Sequence, residues 1–253
     1  MELRLDGQTA LITGGSAGIG LGIAREFVQA GGNVMIVSRK PDKCRVAADE
    51  LSALGDGAVA WQAAHTGDPD GGADVIAATL ERFGSLDILV NNAATNPYAG
   101  PLIDTPVAAF DKTSEVNLRG PLLWTQSAWR AWMHEHGGCV INLASVGAYG
   151  TSSDLGLYAL LKRGLVAMTE QLGAELGPHV RVNALAPAVV KTDFARLLWE
   201  GERGETFARR YPLQRLGETD DIGRAALWLA ADAAWMTGQT IVMDGGQLVS
   251  FRG

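Results

Sequence analysis

With 253 residues, 47% of them hydrophobic and 19% charged, and with 32 glycines, the chain can bury a large core and is too apolar for disorder. A formal net charge of −7 without a basic run excludes a role built on neutralising nucleic-acid phosphates or an anionic membrane surface. Two distant cysteines, Cys44 and Cys139, and four scattered histidines, His65, His134, His136 and His179, form neither a disulfide framework nor a metal motif.

The amino terminus carries Glu2, Arg4 and Asp6 before its first apolar run, unlike a secretory signal. No run approaches the roughly 18 apolar residues of a membrane span, so a cytoplasmic protein is expected. The first apolar run, TALI (9–12), reads as a buried strand. It leads through TALITGGSAGIG, with Gly14, Gly15, Gly18 and Gly20, into a helix whose Ile19, Ile23 and Phe27 share a face. Glycine lets the backbone approach a ligand closely, and the N–H groups and dipole of a helix start attract phosphate, so this turn suits a pyrophosphate. A tight strand-to-helix turn is the purely structural reading.

The second strand, NVMIVS (33–38), runs into Arg39 and Lys40. An acidic residue there would accept from a ribose 2′-hydroxyl, whereas arginine suits a 2′-phosphate. Arg39, helped by Ser38 and Lys40, therefore points to NADP, with NAD the alternative; a solvated loop charge is the bland one. Further strand-like runs are AVAWQA (58–63), LDILVNN (86–92), CVINLAS (139–145), VRVNALA (180–186) and QTIVMD (239–244), with helical segments between them. The alternation predicts a single α/β domain over 1–253: a Rossmann fold with a doubly wound parallel sheet of about seven strands flanked by helices. Its ligand would lie at the carboxyl ends of the strands. Residues 188–215 break the pattern and read either as a cover over the site or as a helical insertion.

Tyr158 and Lys162 stand four apart on a predicted helix and so share a face. A free tyrosine titrates near about 10, and a nearby cation favours the phenolate, so Lys162 could tune Tyr158 for proton transfer. In isolation such a pair is commonly a solvated helix face. Trp124, Trp129 and Trp132 cluster in another helix, where Trp124 and Trp132, eight apart, could project together or belong to the core.

The Gly-x-x-x-Gly-x-Gly turn from Gly14, DILVNNAA (87–94), Asn117 in VNLRG, Ser145 ending INLAS, the Tyr-x-x-x-Lys pair and NALAPAVVKT resemble, in this order, the short-chain dehydrogenase/reductase family. The resemblance covers nearly the whole chain. His65 in place of the more usual valine, NAATNP (92–97) and KTDFARLLW (191–199) are similar to its NADP-dependent carbonyl and retinol reductases. It implies that Asn117, Ser145, Tyr158 and Lys162 are catalytic. Tyr158 would exchange a proton with a carbonyl or alcohol oxygen, Ser145 would hold that oxygen, Lys162 would also grip the nicotinamide ribose, and Asn117 would fix a water leading from Lys162 to solvent. Cofactor contacts are implied at Gly14, Ser16, Gly18, Ile19, Gly20, Ser38, Arg39, Lys40, His65, Asn91, Ala93, Tyr158, Lys162, Pro187, Val190 and Thr192, with Ala188 replacing the family's usual glycine.

The implied activity is NAD(P)-dependent interconversion of a small ketone or aldehyde with an alcohol. A 3-oxoacyl carrier-protein reductase is the alternative, for which Arg119, Arg130 and Arg163 are candidate contacts to an acidic acyl carrier protein. A non-catalytic nucleotide-binding sensor or structural subunit is the reading from a different class. The resemblance also implies a homotetramer or homodimer.

Overall fold

The seven apolar runs become seven strands because each is short, rich in valine, isoleucine or leucine, and bounded by turn residues. The computed structural model describes residues 2–250. In chain order the regular elements are β1 (Thr9–Thr13), α1 (Gly18–Gln29), β2 (Asn33–Ser38), α2 (Pro41–Ser52), β3 (Val59–Ala63), α3 (Gly71–Phe83) and β4 (Ile88–Asn91). There follow α4 (Val107–Ser114), α5 (Gly120–Ala128), α6 (His134–His136), β5 (Gly138–Leu143), α7 (Gly156–Glu175) and β6 (Val180–Pro187). The chain closes with α8 (Arg196–Trp199), α9 (Glu202–Arg210), α10 (Thr219–Ala231) and β7 (Thr240–Met243). Among the described residues no helix is long and apolar enough to cross a membrane.

All strands pair in parallel, in the order β3-β2-β1-β4-β5-β6-β7. Central β1 and β4 are buried throughout, whereas β3 and β7, at the edges, are only partly covered. Successive side chains of β1 enter different layers: Ile12 meets Ile23 and Phe27 of α1 and Ile222 and Leu229 of α10, while Leu11 meets Val75 of α3, Trp124 of α5 and Leu172 of α7. This alternation gives a sheet covered on both faces.

Strand order reverses between β1 and β4, and side chains bind the two strand ends together there. Thr13 Oγ1 accepts from the N–H groups of Asn92 (3.0 Å) and Ala93 (3.1 Å), and Asn92 Nδ2 donates to Thr13 O at 2.8 Å. The crevice above this junction is where an open α/β sheet accommodates a ligand.

The helical stretch 107–136 contains two π-helical segments, Glu115–Arg119 and Trp129–Met133. Each locally shifts the phase of the helix. Counting eight residues from Trp124 to Trp132 therefore fails to predict a shared face: Trp124 is wholly buried, its Nε1 donating to Thr66 O at 3.2 Å, while Trp132 is half-buried and stacks on His136 with centroids 3.6 Å apart. Trp124 belongs to the core and cannot serve as an association surface.

Candidate active site

The carboxyl end of β5 delivers Ser145. Its extended backbone starts the short helical turn Val146–Tyr149, and its Oγ accepts from Gly147 N–H at 3.1 Å. After the loop that follows, α7 begins, placing Tyr158 in its first turn and Lys162 one turn later. Lys162 is buried, rare for this residue unless paired. Its Nζ donates to Leu143 O at 2.5 Å and lies 5.5 Å from the centre of the Tyr158 ring. Lysine thus joins α7 to the end of β5, next to Ser145.

Burial pushes the Tyr158 phenol up to about 12, outweighing the neighbouring Ser145 hydroxyl, which favours the phenolate. It pulls Lys162 down to about 8. The expected phenolate-favouring pull of Lys162 does not set the phenol's proton affinity here. Desolvation governs both groups, leaving a neutral phenol beside a weakened ammonium.

Asn117 sits in the first π segment, fully buried. Its Oδ1 accepts from Thr95 N–H (2.8 Å) and its Nδ2 donates to Thr95 O (2.9 Å), which fastens the loop after β4. Residue 121 is proline, so the N–H that would bond the Asn117 carbonyl in α-helical register does not exist.

A cleft of ≈ 280 Å³ runs from this group to the glycine turn. Of the residues expected at the site it is lined by Gly14, Gly18, Ile19, Ser38, Arg39, His65, Ala93, Tyr158, Lys162, Pro187 and Thr192. Others stand behind the lining. Ser16 Oγ donates to Ser38 Oγ at 2.9 Å, Lys40 is an exposed residue preceding α2, and Val190 is buried in the core. Asn91 is buried in a polar network, its Nδ2 donating to Asn142 Oδ1 (3.0 Å) and Thr125 Oγ1 (3.2 Å). His65 is held from outside the cleft, with Lys112 Nζ 2.9 Å from Nε2 and Gly67 N–H 3.0 Å from Nδ1. Burial, then Lys112, lowers its pKa, against an opposing pull from Glu115.

The residues that sequence reasoning missed are mostly small and apolar, including Ala94, Thr95, Val116 and Ala144, together with Phe194 on the segment after β6. Small residues and a loop phenylalanine carry no chemical signature, so only the fold could bring them forward.

The glycine turn is built for close approach. Gly14 (φ +68°) and Gly18 (φ +56°) occupy the left-handed region, and a Cβ on Gly20 would lie 2.5 Å from both Gly14 O and Asn92 Nδ2. Gly20 therefore shapes the turn from behind. Gly20→Ala is expected to cost about 2 kcal/mol of stability, within the usual range for overpacking, and to weaken nucleotide binding; chemical denaturation and nucleotide titration would measure both.

The family model described as Enoyl-(Acyl carrier protein) reductase matches residues 14–247. Human Dehydrogenase/reductase SDR family member 4 is 35% identical over 246 residues, covering 96% of this chain and 88% of that protein. The chain belongs to the short-chain dehydrogenase/reductase family. It is an oxidoreductase of that family, and its fold agrees with solved members. A short-chain dehydrogenase/reductase from Mycobacterium ulcerans superposes with a TM-score of 0.93 at 33% identity, covering 98% of this chain and 92% of the other. A 7α-hydroxysteroid dehydrogenase complexed with NADH and 7-oxo glycochenodeoxycholic acid gives 0.91 at 30% identity, covering 97% and 96%.

Short-chain dehydrogenases/reductases use NAD(P), and the residues here fit such a nucleotide. Helix α1 starts at Gly18, and its N-cap Ala17 supplies no side-chain cap, so the first N–H groups can meet a pyrophosphate. Lining charges are Arg39 and Lys162 against Asp193, whose carboxylate is already held by Arg196 at 2.5 Å. The balance favours a polyanion.

Proposed function

We propose that the protein interconverts a ketone or aldehyde with the corresponding alcohol, with NADP(H) preferred over NAD(H). The observation that carries this reading is that Tyr158, with Ser145 beside its phenol, and Lys162 line the same cleft as the glycine turn and Arg39. When bound, the nicotinamide nucleotide supplies or accepts the hydride. Ser145 donates a hydrogen bond to the substrate oxygen, and the Tyr158 phenol, protonated at neutral pH, delivers the proton in the reductive direction. In the oxidative direction Tyr158 removes the hydroxyl proton. Lys162 steadies the developing phenolate and holds the ribose, while Asn117, in its widened helical turn, holds a water through which Lys162 exchanges protons with solvent.

A buried lysine without a carboxylate partner costs stability. Setting that lysine beside Tyr158 and Ser145 has no use in a protein that merely held a nucleotide, which favours catalysis over a sensing role. Against a carrier-protein substrate stands the dispersal of the three candidate arginines. Arg119 donates to Gly67 O (3.2 Å) on the β3 side, Arg163 lies over the Tyr149 ring (5.6 Å), and Arg130 is exposed in the second π segment, ahead of the amino end of β5.

The nucleotide preference is assigned to Arg39, which is exposed just past the end of β2 and lines the cleft. Arg39→Asp should lower kcat/KM with NADPH relative to NADH by about tenfold to a hundredfold, the worth of a charge-assisted contact. Equal losses with both nucleotides, or none, would remove Arg39 from this role.

A further inference from the structure

Phe194 is an aromatic side chain left uncovered beside the reacting groups. It is 59% exposed yet lines the cleft, its ring centroid 6.3 Å from that of Tyr158 at an interplanar angle of 41°. Single exposed apolar residues are ordinary on a surface; position distinguishes this one. Its backbone is also fixed. Thr192 Oγ1 accepts from Ala195 N–H (3.3 Å), and Trp199 Nε1 donates to Thr192 O (2.8 Å). Thr192 in turn rests on the glycine turn, where a Cβ at Gly18 would lie 3.2 Å from its Cγ2.

Other exposed leucines occur on the same segment and beside the start of α7. Leu197, 83% exposed, follows Phe194 by three residues, in α8. Near the start of α7 stands Leu102, 47% exposed, so close to Gly156 that a Cβ there would lie 3.0 Å from its own. Arg39 lies just past the end of β2, and Asp193, the acidic residue preceding Phe194, is paired with Arg196.

We infer that Phe194 is a specificity-determining residue and that it selects substrates whose carbonyl carries a planar aromatic group. The inference rests on the carbonyl-reducing reading of the site. A substrate oxygen held by Ser145 and Tyr158 brings its substituents toward Phe194. A flat ring there covers Phe194 and gains an aromatic contact beyond the buried area. A short aliphatic ketone reaches the same oxygen partners and leaves Phe194 bare. Selection therefore acts through binding of the flanking group, while proton transfer remains with Tyr158.

The test compares acetophenone with butanone under NADPH, using the wild-type protein, Phe194→Ala and Phe194→Leu. Phe194→Ala should lower kcat/KM for acetophenone at least tenfold, mainly through KM, while changing butanone by less than twofold and leaving KM for NADPH alone. Phe194→Leu should fall between. Calorimetric binding of 1-phenylethanol to Tyr158→Phe protein loaded with NADP+ gives a readout without turnover, and adding Phe194→Ala should raise Kd about tenfold. Equal losses for both ketones, a loss confined to the nucleotide KM, or an unchanged Kd would overturn the inference alone. Wild-type protein that binds NADPH but reduces neither ketone would overturn the carbonyl reading and this inference with it.

Discussion

Tyr158→Phe should abolish at least 99.9% of turnover, about a thousandfold loss, while leaving the melting temperature and nucleotide affinity close to wild type. The substitution removes one hydroxyl from a ring that remains half-buried against Phe194 and Lys162, so packing is retained and the lost function is proton transfer. The state of that proton gives the reaction its direction-dependent pH profile. With burial holding the phenol up to about 12, the group is ready to donate at neutral pH, and reduction should not need alkali. Oxidation needs the scarce phenolate, so its kcat/KM should climb by about tenfold per pH unit on the alkaline side. Ser145→Ala should lose less, since it removes a hydrogen bond to the oxygen and leaves the proton donor in place. Steady-state rates in both directions from pH 6 to 10, with melting curves of each variant, would check this. A Tyr158→Phe protein that retained a tenth of wild-type turnover would place the proton donor elsewhere.

How much of this was legible in the sequence depended on the kind of signal. Strand positions were, because a strand buried on both faces is a short apolar run whatever surrounds it; NVMIVS spans residues 33–38 in both readings. Strand ends were less so. The run 86–92 shrinks to Ile88–Asn91 because Asn92 leaves the ladder to bond Thr13 Oγ1, and 139–145 ends at Leu143 because Ser145 starts the next turn. Tyr158 and Lys162 were readable as a pair from spacing and as site residues from the family resemblance, but their proton affinities were not. Those depend on burial, which follows from how α7 meets β5. Phase was hardest of all: Pro121 signals a break in helical bonding near Asn117, whereas nothing in WRAWM announces the second π segment that separates Trp132 from the face of Trp124. Residues 188–215 could be read as a cover over the site, but Phe194 could not be singled out within them, because its relation to Tyr158 joins two segments 36 residues apart through tertiary structure.

Lys162→Met should nearly abolish activity and yet leave the protein at least as stable at pH 7. Burial holds the folded-state lysine at about 8 against the ordinary 10.5, so the charged form is disfavoured by folding. Below pH 8 both folded and unfolded chains carry the proton, and the full penalty applies, about 3 kcal/mol at 1.36 kcal/mol per unit. Between 8 and 10.5 the unfolded chain binds more protons than the folded one, so stability contributed by this group rises with pH and the penalty fades. Methionine has a similar reach and no charge, which removes both the penalty and its pH dependence. The bond to Leu143 O disappears as well, and the unpaired carbonyl returns about 1–3 kcal/mol of the gain. Tyr158 has the opposite sign in a separate window: its folded value near 12 lies above the ordinary 10.0, so its contribution is lost as pH rises from 10 to 12. Denaturant unfolding of wild type and Lys162→Met at pH 7, 8, 9 and 10 should therefore show the variant losing ground steadily to wild type as pH rises, ending below it near pH 10, where mainly the lost Leu143 bond remains. Parallel curves would mean that Lys162 is not desolvated in the folded protein. That pH-dependent loss of ground together with lost turnover would identify a charge kept buried against stability because the reaction needs it beside Tyr158.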